Sequence, residues 1–218
     1  MIRVTLATCA VLLVSQLAAA QTELSAGVGL AGLHVSHTVF ESPSIGETAS
    51  LGSTVEWSVA AGRVLHRHLV IQAEFARTGT VERSFLEGHN PQLPPCATCS
   101  ETTEELRYRN QQLSLLVGYR ARRQRLAVSA LGGFGYIAHS VETTITRTYP
   151  PAASRATEIA QFTSVVYGTT PNAGADVAFA LTRRVQVVGR LRAYRLDGIA
   201  SVDRGVATIV GVTARVVF

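Results

Sequence analysis

The chain has 218 residues, 47% of them hydrophobic, 16% charged and 6% aromatic, with a formal net charge of +5. A charged fraction so far below the ~25% of soluble domains argues against an ordinary water-facing surface, and the apolar content argues against intrinsic disorder. All 20 basic residues are Arg, and they form no basic stripe interleaved with aromatics, so no nucleic-acid partner is expected.

Met1-Ile2-Arg3 is a short positive start, Val4 to Leu17 is mostly apolar, and Ala18-Ala19-Ala20 is a small-residue exit. This pattern reads as a secretory signal peptide over residues 1–20, followed by one domain over residues 21–218. The apolar run lies after Cys9 rather than before it, so lipidation there is not expected. No later segment offers the ~20 continuous apolar residues of a spanning helix, so strands must do any crossing.

Eight segments then alternate with period two: Leu24–Val35, Gly52–Val64, Leu69–Val81, Leu106–Arg120, Leu126–Val141, Thr170–Leu181, Val185–Leu196 and Val206–Phe218. They exceed ordinary globular strands and suit the ~9–11 residues that cross a bilayer at a tilt. Short connections lie near Leu65–His68, Ala121–Gln124 and Thr182–Arg184. Long ones run Glu41–Leu51, Glu82–Glu105, Glu142–Val166 and Asp197–Arg204, and hold six of the seven Pro. Pro171 is expected at a strand start.

One face of each segment is apolar, with Trp57, Leu115, Val187 and Val212 among its members. The other is small and lightly polar: Ser25, Gly27 and Gly29, then Glu56 and Ser58, Gln112 and Ser114, Asn172 and Asp176. Small polar side chains suit a narrow, filled lumen, and a water-facing sheet would carry more long charged ones. The expected fold is all-β, an eight-stranded antiparallel up-and-down transmembrane β-barrel with long outer loops and short periplasmic turns.

The signal peptide, the eight amphipathic strands, the loop alternation and the terminal Phe218 together resemble small outer-membrane β-barrels of Gram-negative bacteria. The type cases are the transmembrane domain of outer membrane protein A and outer membrane protein X. The resemblance implies a cell outer membrane location, with outer-membrane lipids as surroundings. Val212, Ala214, Val216 and Phe218 resemble the terminal signal read by the barrel-assembly machinery. No peptidoglycan-binding domain is expected after Phe218, and the barrel is expected to be a monomer.

Candidate chemistry is thin. Cys96 and Cys99, in an outer loop of an exported chain, are expected to form a disulfide. His89 beside them is a poor start for zinc, and neither metal nor cofactor is expected. His34 and Ser36 share a strand face, as in outer-membrane lipid A deacylases that resemble this fold, but no orienting acid accompanies them. The chain is therefore not expected to be an enzyme.

By alternation Glu56, Glu74, Asp176, Arg190, Arg192 and Arg215 face the lumen as a charge network, either a plug or a gated ion path. Asp176 and Arg190 flank a turn symmetrically and are expected to pair. The short turns and their flanks hold Arg63, Arg67, Arg120, Arg122, Arg123, Arg125, Arg183 and Arg184 and no acid, whereas the long loops hold eleven acids against four Arg. The turn arginines are either plain solvated ends or guanidinium contacts to phospholipid phosphates.

Two functions stay open: a structural or surface-interaction barrel whose outer loops bind an extracellular ligand, and a narrow pore for ions or small solutes. A lipid-modifying enzyme is a third and weaker reading.

Overall fold

The computed structural model describes residues 21–37, 47–65, 68–87, 101–149, 157–196 and 202–218. The signal-peptide segment and the Cys96–Cys99 stretch lie outside the described residues. Nine strands follow one another: β1 Gln21–His37, β2 Glu47–Leu65, β3 Leu69–Thr78, β4 Val81–Glu87, β5 Glu101–Arg123, β6 Leu126–Thr148, β7 Thr157–Ala180, β8 Val185–Leu196 and β9 Val202–Val217. Each pairs antiparallel with its sequence neighbour, except that β3 and β4 both pair with β5. They are two halves of one stave, so the nine strands make eight staves. The first stave pairs with the last, from Glu23↔Val217 to His37↔Val202, and the sheet closes on itself.

The third stave was expected to be continuous, and it breaks at Gly79-Thr80 instead. Leu69↔Tyr119 sets the register of β3, and Val81↔Tyr108 sets that of β4 one residue out of step. This is a β-bulge, which absorbs one extra residue and bends the stave. Polar groups hold it. The Asn110 amide donates to Thr78 Oγ1 at 2.9 Å, and the Gly79 amide donates to the Val55 carbonyl at 2.7 Å.

The long connections are shorter than expected, because their ends are strand. Residues 142–148 and 157–163, expected as part of the Glu142–Val166 loop, form a ladder from Glu142↔Thr163 to Thr148↔Thr157. Thr143, Thr144, Ile145 and Thr146 supply the reason, since β-branched side chains fit a pleated surface. In the same way β4 pairs with the first residues of β5 in what reads as loop. Strands β4 to β7 therefore rise past the rest of the barrel as a four-stranded sheet. Pro171 is inside β7 rather than at its start. It lies where the β7–β8 ladder stops, just past Asn172↔Tyr194, a place where a missing N–H is tolerated. Thr170 Oγ1 continues the join to β8 by donating to the Arg195 carbonyl at 2.5 Å.

The outside of the barrel is apolar. Trp57, Leu115, Val187 and Val212 point outward as expected, together with Val28, Leu113, Phe134, Leu191 and Val210. Aromatics gather at two levels. Tyr119, Phe179 and Phe218 lie by the short turns, while Trp57 tilts against Phe75 at 5.3 Å and Tyr136 stacks on Tyr167 at 6.1 Å further up. Twin aromatic girdles bounding an apolar band are the mark of a barrel seated in a bilayer.

Close strand contact leaves no room for side chains at some inward positions. A Cβ on Gly118 would stand 1.9 Å from the Ala130 carbonyl oxygen of the next stave. Gly118→Val is expected to lower stability by ~1–3 kcal/mol, the range for overpacking. Urea unfolding of the vesicle-inserted barrel would measure it, and an unchanged midpoint would remove the steric argument.

Candidate functional site

Among the described residues the buried polar side chains point into the lumen, because alternation sends the apolar side chains outward. The lumen is layered along its axis. At the loop end Ala31, Val81, Tyr108, Ile137, Val141, Tyr194, Ala207 and Ile209 form an apolar cluster. Near the turn end Val64, Val70, Leu116 and Leu131 form a second. The charges lie between and beside them.

The six charged residues expected in the lumen are all there, each at most 5% exposed, and the structure brings them together. Arg190 donates to Glu56 at 2.5 Å, to Glu74 at 3.0 Å and to Ser58 at 2.5 Å. Arg192 bridges Glu74 at 2.9 Å and Asp176 at 2.6 Å. Arg215 closes on Asp176 at 2.8 Å and approaches Glu23 at 3.5 Å. Glu74 also accepts from Gln72 Nε2 at 2.9 Å.

One expected pair is corrected. Asp176 and Arg190 do stand opposite one another in register, but neither bonds the other. Asp176 takes Arg192 and Arg215, while Arg190 reaches over to β2 and β3. Register sets which backbones face, but a guanidinium on a long stem inside a narrow barrel can choose carboxylates from several staves.

Sequence reasoning missed Glu23 and misplaced Arg120. Arg120 was expected on a turn flank, either solvated or against phospholipid phosphates. It is instead 5% exposed and forms a two-pronged ion pair with Glu23, which is 3% exposed. The signal was in the alternation. Glu23 is in phase with Ser25 and Gly27, and Arg120 with Gly118 and Ser114, so both belong to the inward face. With them the network holds four carboxylates (Glu23, Glu56, Glu74, Asp176) and four guanidinium groups (Arg120, Arg190, Arg192, Arg215), a neutral set. Neutrality is what burial demands, since an unpaired charge in a low-dielectric interior is very costly.

Toward the loop end the polar contacts are uncharged. Tyr108 Oη lies 2.5 Å from His139 Nδ1, and Asn110 Nδ2 donates to Tyr194 Oη at 2.6 Å. Asn172 Nδ2 donates to Ser114 Oγ at 2.9 Å, across the stave between them. That stave presents Gly133 and Gly135 at the crossing. The glycine run of β6 thus leaves space for side chains to meet. In the turn between β2 and β3, His68 stacks on Tyr119 and its Nδ1 lies 3.0 Å from the Arg120 carbonyl. The side chains of His34 and Ser36, and the whole of His66, Arg67 and His89, lie outside what is described. Val212, Ala214, Val216 and Phe218 line the outward face of β9 and its end, and the Phe218 amide donates to the Thr22 carbonyl at 2.9 Å.

A closed eight-stave barrel, apolar outside between two aromatic girdles and polar within, is a transmembrane β-barrel of the outer-membrane type. The chain is a small outer-membrane β-barrel protein, located in the cell outer membrane and surrounded by its lipids. No protein-family model and no curated protein matches it. Among solved structures it is similar to Ail, the attachment invasion locus protein of Yersinia pestis, with 11% identity, 88% of this chain and 97% of that one covered, and a TM-score of 0.47. It is similar to a major outer membrane protein from Thermus thermophilus, with 14% identity, coverages of 92% and 100%, and a TM-score of 0.45. It is also similar to Neisserial surface protein A, with 14% identity, coverages of 91% and 97%, and a TM-score of 0.44. Nothing about this chain's activity is carried over from likenesses of that size, and its class rests on its own surfaces.

Proposed function

We propose that the protein is a non-catalytic, monomeric barrel that reinforces the outer membrane and offers its loop end as an interaction surface. The observation that carries this reading is the neutral ion-paired ladder lying under the apolar Tyr108–Ile137–Tyr194 cluster. Eight staves leave room for side chains only, and here those side chains are bonded to one another. The four-stranded β4–β7 sheet stands clear of the lipid band and exposes Ile159, Phe162 and Val165 toward the medium. Exposed apolar residues on a projecting sheet are what an extracellular ligand would grip.

A narrow ion pore is the second reading, favoured by the unbroken chain of ion pairs from Glu56 to Glu23. Planar-bilayer recordings separate the two. A silent bilayer is expected, and steady unitary currents that change on Glu74→Gln would replace the first reading with the second. Unaltered lipid A in cells overexpressing the protein is expected if it is not a lipid-modifying enzyme.

The terminal strand is proposed as the segment the barrel-assembly machinery reads. Phe218 is 72% exposed and contributes little packing to the folded barrel. Phe218→Ser is therefore expected to reduce heat-modifiable barrel in outer-membrane fractions severalfold. The purified, refolded variant should lose no more than the ~1.5–3 kcal/mol of one apolar side chain. Wild-type levels in the membrane fraction would count against the assignment.

A further inference from the structure

The turn end of the barrel carries a charge pattern that the lumen does not explain. Arg122 and Arg123 end β5, Arg125 sits in the two-residue turn to β6, and Arg183 and Arg184 lie in the turn from β7 to β8. All five are exposed. Among the described residues no exposed Asp or Glu side chain accompanies them. Glu23, the carboxylate nearest that end, is buried and already held by Arg120 and Arg215. The loop end is the opposite, with Glu82 and Glu105 exposed near Arg107 and with Glu158 exposed as well.

The arginines adjoin the lipid-facing belt. Arg123 is on the same outward face as Tyr119, four residues along one strand. Leu126, Phe179, Leu181 and Phe218, all exposed, flank the two turns. Aromatic and aliphatic groups at this level fix the barrel's height at the headgroups, so the guanidinium groups lie where lipid phosphates lie. A soluble acidic polymer would need no such belt beside its basic site, and this continuity favours lipid as the occupant.

We propose that this arginine rim selects anionic phospholipid over zwitterionic phospholipid in the leaflet at the turn end. Arg presents a planar fork that takes two phosphate oxygens at once. In phosphatidylcholine or phosphatidylethanolamine the phosphate charge is offset by the headgroup's own cation. In phosphatidylglycerol it is not, and five uncompensated guanidinium groups favour that lipid. A basic side chain near an anionic lipid surface changes partitioning by about fivefold.

The test uses the full chain refolded into phosphatidylcholine vesicles containing trace spin-labelled phosphatidylglycerol or spin-labelled phosphatidylcholine. The motionally restricted fraction of each label reports lipid held at the barrel. With one guanidinium meeting each headgroup, the wild type is expected to hold the anionic label about fivefold more strongly than the zwitterionic one. Replacing all five arginines by Gln is expected to bring the ratio to about one. Because these side chains are exposed, the folded barrel should survive, as heat-modifiable mobility will report. Arg183→Gln with Arg184→Gln gives an intermediate ratio should the larger variant refold poorly. Arg107→Gln with Arg109→Gln, at the loop end, leaves the ratio unchanged. Equal retention of both labels by the wild type overturns the proposal. So does a ratio unmoved by the rim variants, or moved as much by the loop-end pair. Displacement of the label by millimolar inorganic phosphate would identify a free-phosphate site instead, and would also overturn it.

Discussion

Arg192→Met is expected to destabilise the barrel by ~3–5 kcal/mol, the cost of breaking a buried pair by removing one partner. Arg192 is 1% exposed and is the only member of the network that touches both Glu74 and Asp176. Without it the lumen holds one excess negative charge, with Arg190 the one guanidinium left on Glu74 and Arg215 the one left on Asp176. The methionine fills much of the volume, so the loss is electrostatic rather than a cavity. Urea unfolding in vesicles measures it. Asp176→Asn combined with Arg192→Met should lose clearly less than the two singles summed, because the pair is in contact at 2.6 Å. Asp176 and Arg190, opposed in register but unbonded, should show weaker coupling, transmitted through Glu74 and Arg192. Full additivity for Asp176 with Arg192 would mean that the network is not what holds the lumen together.

The outer surface should respond as strongly to the opposite change. Val210→Arg is expected to cost ~2–4 kcal/mol, the penalty for a cation on the lipid face at the bilayer midplane. Val210 is 62% exposed and lies midway along β9, paired with Leu30 on one side and Leu191 on the other, both also exposed. A guanidinium there has only hydrocarbon around it. Leu126→Arg, beside the turn end, should cost no more than ~1 kcal/mol because it can reach the headgroups. Equal penalties at the two sites would contradict the placement of the lipid band. A soluble barrel would tolerate both.

These two experiments probe the two faces of one alternating pattern, and that pattern is what the sequence by itself determined. Period-two alternation assigns each residue to lipid or lumen, because successive strand side chains point to opposite faces. Trp57, Leu115, Val187 and Val212 on one side, and Glu56, Glu74 and Asp176 on the other, were legible for that reason. So was the number of staves. Glu23 and Arg120 were legible in principle, since they keep the inward phase, but their positions near strand ends read as boundary.

What only the tertiary structure decided is which groups meet. Arg190 and Asp176 are neighbours by register, yet Arg190 takes its carboxylates from β2 and β3, far away in sequence, while Asp176 takes Arg192 and Arg215 from β8 and β9, a choice made by lumen width and side-chain reach. The bulge at Gly79-Thr80 depends on where Asn110 arrives to bond Thr78, and Gly79 is the one local sign of it. Thr143 to Thr146 read as loop because their partners, Phe162 to Ile159, declare themselves only when the hairpin closes. Pro171 sits inside β7 because the β8 ladder stops there, a property of the assembled sheet. Alternation is a local property of one strand, whereas pairing, ladder length and ion-pair choice depend on the distance between staves, which exists only once the barrel has closed.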